Sequence, residues 1–84
     1  MQYFGIYFGM TLDKCLKNLV VFVKNINTDD YKLKLRLCEL GFFTGSKIKV
    51  LNISSLKKTL LVQVLDSCFT IKSKTAELIE VCDG

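Results

Sequence analysis

The sequence predicts a mainly β domain with one inserted α-helix, folded as a small five-stranded barrel. Three observations carry that prediction. Short alternating or β-branched runs recur along the chain, separated by polar turn clusters. One run, residues 31–40, has a different period and ends on a glycine. The 84 residues are 50% hydrophobic, with no proline and five glycines, which suits one compact core without a linker.

The opening, Met1-Gln2-Tyr3-Phe4-Gly5-Ile6-Tyr7-Phe8-Gly9, carries four aromatics and no charge. It reads as an apolar N-terminal extension over residues 1–9, set before a domain at residues 10–84. Met10-Thr11-Leu12-Asp13 looks like a second natural beginning. Three readings of the extension stand side by side: an added strand, a sticky tail, or an upstream start codon not used in the cell. Residues 11–16 suit one helical turn with Thr11 as its cap. Residues 19–26 are rich in β-branched and aromatic side chains, which predicts a buried strand. Asn27-Thr28-Asp29-Asp30 is a turn cluster that also supplies a helix N-cap.

Residues 31–40 carry two periods at once. Lys32-Leu33-Lys34-Leu35-Arg36-Leu37 alternates strictly, as a strand does. Leu33, Leu37 and Leu40 nevertheless fall at i, i+4 and i+7, a helical stripe. The ends decide for a helix: Asp29 or Asp30 precedes the run, and Gly41 follows where a left-handed residue ends helices. Phe42 then stands where it can pack back on the last turn. Gly45 reads as a tight turn opening the next strand. Residues 47–53 alternate, with Ile48 and Val50 on one face, and residues 54–58 form a polar turn. Residues 59–65 give another strand, with Leu60, Val62 and Val64 opposite Gln63. Asp66-Ser67 turns the chain into a strand at 68–72, residues 73–76 suggest one helical turn, and residues 78–81 a last short strand.

The chemistry that is missing bounds the function. The chain has no histidine, so it lacks the commonest general base and transition-metal ligand, and Ser-His and Cys-His pairs cannot form within it. No phosphate loop is present. Capping accounts for Asp29-Asp30, and nothing predicts that Glu77 and Glu80 converge as an acid/base pair. Cys15, Cys38, Cys68 and Cys82 form no C-x-x-C pair, and they are expected to behave as small buried hydrophobes. No catalytic residue, metal ligand or cofactor is therefore expected.

Twelve basic and eight acidic residues give a net charge of +4, spread through the chain, which suits a solvated surface better than a nucleic-acid face. No apolar run approaches the ~20 residues of a membrane span. The apolar start lacks a basic region and a small-residue cleavage site, so a cytoplasmic location with reduced cysteines is expected.

The run Leu35-Arg36-Leu37-Cys38-Glu39-Leu40-Gly41-Phe42-Phe43-Thr44-Gly45-Ser46-Lys47-Ile48-Lys49-Val50 is similar to a pattern of the FeoA family of ferrous-iron transport accessory proteins. That pattern is a leucine-rich helix, then L-G-aromatic/aliphatic-x-x-G, then an alternating strand. Thr11-Leu12-Asp13 resembles the family's usual start, and residues 69–81 resemble its last two strands and their connection. The resemblance covers residues 11–82. The chain departs from the family at turns: Lys17-Asn18 where Pro-Gly is frequent, Leu56-Lys57-Lys58-Thr59 where glycine or proline is frequent, and Asp66-Ser67 where glycine is common.

The resemblance implies an SH3-like barrel and a cytoplasmic accessory protein, peripheral at the inner membrane. Its implied partner is the ferrous iron transporter, a membrane permease with a GTP-binding cytosolic region. The expected partner contacts are the basic helix edge at Lys32 and Arg36, Phe43, and the hairpin tip Leu56, Lys57 and Lys58. Phe43 has two readings, entry into the core or exposure at the surface. Leu37, Leu40, Gly41 and Gly45 are read as the structural motif. Alternatives are the SH3-like module of an iron-responsive regulator, for which no DNA-reading helix is visible, a nucleic-acid-binding small barrel, and a homo-oligomer joined through residues 1–9.

Overall fold

The computed structural model describes residues 10–82; the extension at residues 1–9 and its expected role in self-association lie outside them. A 3₁₀ turn at Leu12–Lys14 is followed by β1 (Val20–Ile26), α1 (Tyr31–Leu40), β2 (Lys47–Ile53), β3 (Thr59–Val64), β4 (Ser67–Lys72), α2 (Ser73–Ala76) and β5 (Ile79–Cys82). The strands form one antiparallel sheet in the order β4-β3-β2-β1-β5. Two register shifts, between Val23 and Asn25 and between Val50 and Asn52, are irregularities of the kind that bend a sheet. The bent sheet is barrel-like but not closed, since β4 and β5 stand at opposite ends of the order and α2 joins them.

The alternation read in the sequence becomes the core. Ile48 and Val50 of β2, and Leu60, Val62 and Val64 of β3, are all buried, with Val21 and Val23 of β1 and Ile79 and Val81 of β5. Leu12, Cys15 and Ala76 close one end, and Leu37 and Phe42 seat the helix. The outer edge of β5 is partly covered by Met10 and Thr11: Thr11 pairs with Glu80, and the Met10 carbonyl accepts the Val81 N–H at 3.1 Å.

Helix won over strand at residues 31–40 because both ends are capped. The Asp30 carboxylate accepts the Leu33 N–H at 3.1 Å. At the other end the Gly41 N–H reaches the Cys38 carbonyl at 3.0 Å and the Phe42 N–H reaches that of Leu37 at 2.9 Å, the paired bonds of a Schellman stop. Gly41 takes φ +110°, and a Cβ there would lie 2.8 Å from Cγ1 of buried Val64. The buried Ser46 hydroxyl donates to the Gly41 carbonyl at 2.5 Å and locks the junction. Gly45 takes φ +91° with open space around its Cα, so it serves the turn and not the packing.

Several expectations need correcting. Thr11 makes no side-chain cap; its hydroxyl donates to the Asp13 carboxylate instead. Leu65 falls outside β3, in a two-residue turn with Asp66, while Ser67 already pairs with Val64. Only Cys15 is a buried cysteine: Cys38 and Cys68 are exposed and Cys82 is half-buried. Phe42 enters the core, and Phe43, at 44% exposure, does not. Among the described residues, the non-glycine residues with positive φ are Asn18, Lys57 and Leu65, each at or beside a turn. The turns keep their left-handed backbone without glycine.

Candidate functional site

Helix α1 buries only Leu37 fully, so it stands off the sheet and leaves a groove along β4. Leu33, Leu37 and Leu40 form the helix wall, Phe69 and Ile71 of β4 the sheet wall, and Phe42 the floor. The groove has a volume of about 190 Å³. Phe42 and Phe69 meet edge to face at 5.5 Å between ring centres and 76° between planes, which fixes its shape. Arg36 and Lys72 also line it, so the apolar cleft carries two cations. β4 is an end strand of the sheet, paired only with β3 among the described residues.

The expected partner residues divide between sites. Arg36 lines the groove. Lys32 lies one turn earlier on α1, and Phe43 is exposed just past the helix, but neither lines it. Lys57 lines a different concavity with Asp13, Lys14, Leu16 and Ser73, and exposed Leu56 and Lys58 flank it in the chain. Leu37 is buried, Gly41 ends α1 and Gly45 turns the chain into β2, whereas Leu40, 44% exposed, lines the groove. Sequence reasoning missed Phe69, Ile71 and Lys72. Alternation along residues 68–72 places Phe69 and Ile71 on one face, but that β4 ends the sheet beside α1 is a tertiary fact.

Cys15 offers little chemistry. Burial, helped by the nearby Asp13 charge, pushes the Cys15 thiol up to about 11, so it stays protonated near neutral pH. Its Sγ donates to the Thr11 carbonyl at 3.7 Å. Among the described residues no cluster of three or more Cys, Asp or Glu side chains is placed to hold a metal ion. No described helix is long and apolar enough to cross a membrane.

Comparison with known proteins places the fold. A family model described as the FeoA domain matches residues 10–82. The solution structure of FeoA from Chlorobium tepidum is similar at TM-score 0.78 and 26% identity, over 86% of this chain and 68% of that one. The zinc complex of FeoA from Stenotrophomonas maltophilia, described as a prokaryotic SH3 domain protein, is similar at TM-score 0.76 and 25% identity, over 87% and 89%. A manganese-dependent transcriptional repressor with bound manganese shares the fold at TM-score 0.78 and 19% identity, over 87% of this chain but 35% of that one. No curated protein sequence matches the chain. The FeoA match spans the described residues and agrees with the capped helix, the Gly41–Gly45 junction and the bent sheet: the chain belongs to the FeoA domain family, small SH3-like accessory domains of iron transport.

Proposed function

We propose that this protein is an accessory module of ferrous iron uptake that docks on the cytosolic, GTP-binding region of a ferrous transporter, and that the α1–β4 groove receives the transporter segment. The observation that carries this reading is a cleft with leucine and phenylalanine walls and two cations, Arg36 and Lys72, in a domain of the FeoA family. Such a cleft suits an apolar segment bearing a carboxylate, and the end strand β4 offers backbone groups to an extended chain. Lys32 and Phe43 flank the groove as outer contacts. The working place is the cytoplasm, at the inner face of the membrane that holds the transporter.

Pull-down from solubilised membranes tests it. The transporter should come down with the wild-type chain and be lost with Arg36→Glu. Deletion of the gene should lower ferrous uptake. A chain that captures no transporter, with uptake unchanged on deletion, would refute the proposal.

A further inference from the structure

A second surface lies away from the groove. Among the described residues, three large hydrophobics reach 74% exposure: Leu16, Leu56 and Tyr31. Leu16 lines a concavity with Lys14, Ile53 and Lys57, and Leu56 immediately precedes Lys57 in the chain. Leu16 follows the 3₁₀ turn, and Leu56 sits on the β2–β3 hairpin. Isolated exposed leucines are ordinary, but a pair on neighbouring loop tips asks for a reason.

Neither tip is left exposed by a loose loop. The Ser54 hydroxyl accepts the N–H groups of Lys58 at 3.0 Å and Thr59 at 3.2 Å. The Lys57 N–H reaches the Ser54 carbonyl at 2.8 Å, which closes a turn around Leu56. From outside, Ser73 of α2 donates its hydroxyl to the Lys57 carbonyl at 2.6 Å and its N–H to that of Lys58 at 2.8 Å. The Leu16 loop is pinned too: the Leu19 N–H bonds the Leu16 carbonyl at 3.1 Å, and the Asn18 N–H bonds that of Val50 at 2.6 Å. Both leucines are therefore held out by hydrogen-bonded turns.

The surrounding charge selects the partner. Lys14 and Lys57 line the concavity, exposed Lys17 follows Leu16 in the chain, and exposed Lys58 lies two residues after Leu56. Asp13 and Glu77 are the carboxylates of the same concavity, and the Asp13 carboxylate already accepts the Thr11 hydroxyl. The lining itself holds two lysines and two acids, and the positive surplus comes from Lys17 and Lys58 on the exposed loops beside it. Two projecting apolar tips among flexible lysines suit a soft, anionic interface: the leucines enter the acyl boundary while the lysines stay at headgroup level. An acidic protein would need a shaped pocket for each tip.

We propose that Leu16 and Leu56, with Lys14, Lys17, Lys57 and Lys58, form a membrane-surface contact that inserts into anionic lipid. It is independent of the groove reading, because it is tested on vesicles that contain no protein. The chain has no tryptophan, so Leu56→Trp provides a single reporter. With the full chain and vesicles of phosphatidylglycerol and phosphatidylethanolamine, its emission should shift to the blue and resist an aqueous quencher. Tyr31→Trp, equally exposed on α1, should stay quenchable. Vesicles of phosphatidylcholine alone should leave both unchanged. In co-sedimentation, Leu16→Ser and Leu56→Ser should each weaken partition about tenfold. Lys57→Gln and Lys58→Gln should each weaken it about fivefold, and added salt should weaken it further. These positions are exposed, so unchanged thermal midpoints should accompany the losses. Failure to bind anionic vesicles at low salt would overturn the proposal, the result expected if the patch serves an acidic protein. Binding that survives the combined Leu16→Ser, Leu56→Ser variant, as through residues 1–9, would overturn it too, as would binding that leaves the indole of the Leu56→Trp variant fully quenchable.

Discussion

Gly41→Ala and Gly45→Ala form a pair of perturbations whose outcomes should differ although both residues are glycines with positive φ. At Gly45 the backbone angle is +91° and an added Cβ meets nothing within 4 Å. Only conformation opposes the change, costing an L-residue about 1–2 kcal/mol, partly offset by about 0.4–1 kcal/mol from the stiffer unfolded chain. At Gly41 the angle is +110° and the new Cβ would sit 2.8 Å from Val64 Cγ1 and 3.1 Å from Leu65 Cδ1. Val64 is fully buried and cannot swing away, so overpacking adds about 1–3 kcal/mol. The net loss is then about 1–5 kcal/mol for Gly41→Ala and about 0–2 kcal/mol for Gly45→Ala, the overpacking making the difference. Urea titration followed by circular dichroism reads both, with the midpoint falling at unchanged slope. In a domain of this size, Gly41→Ala should lower the melting temperature by roughly 4–8 °C for each kcal/mol lost. Equal losses in the two variants, or a larger loss at Gly45, would refute the reasoning that Gly41 packs while Gly45 only turns.

Further outcomes follow from the caps and thiols. Asp30→Ala should cost about 1 kcal/mol, because the Leu33 N–H loses its acceptor, and Asp30→Asn should restore most of it in the same titration. Alkylation followed by mass spectrometry should label Cys38 and Cys68 quickly and Cys15 only on unfolding, since Cys15 is buried and its thiol is held up to about 11. The unfolded thiol titrates near 9.0, so between that value and about 11 the unfolded state binds fewer protons than the folded one. Stability should therefore be fully present below about pH 9 and fall as the pH rises through that window, as urea midpoints across alkaline pH would show.

The parts legible in the sequence were those fixed by local rules. Alternation at Ile48, Val50, Leu60, Val62 and Val64 named the buried face of two strands because side chains change face at every residue. The aspartate pair Asp29-Asp30 and Gly41 bounded the helix, because orphan N–H and carbonyl groups at its ends require such residues, and the structure chooses Asp30 as the cap. Phe42 followed from the same stop. The groove was not legible. It arises because α1 buries Leu37 and leaves Leu33 and Leu40 to face β4, and the distance of a helix from a sheet has no local signature. The reading of Leu33, Leu37 and Leu40 as one stripe was right in period, yet the stripe forms the wall of a cleft as well as a packing face. The cysteines misled because a residue type's average burial does not fix where Cys38 and Cys68 fall on their elements. Turn conformation also exceeded its usual code: Lys57 and Leu65 take positive φ in turns closed by tertiary bonds and neighbouring strands.

The central claim is that the α1–β4 groove is the transporter's docking site. Its most direct test is a titration of the chain into the isolated cytosolic GTP-binding region of a ferrous transporter, comparing wild type with an Arg36→Glu, Lys72→Glu double variant and with a Lys47→Glu, Lys49→Glu double variant on a separate concavity. The account predicts saturable binding that the groove variant weakens by about tenfold or more and the other leaves unchanged. Binding that is absent in the wild type, or weakened equally by both variants, would contradict it.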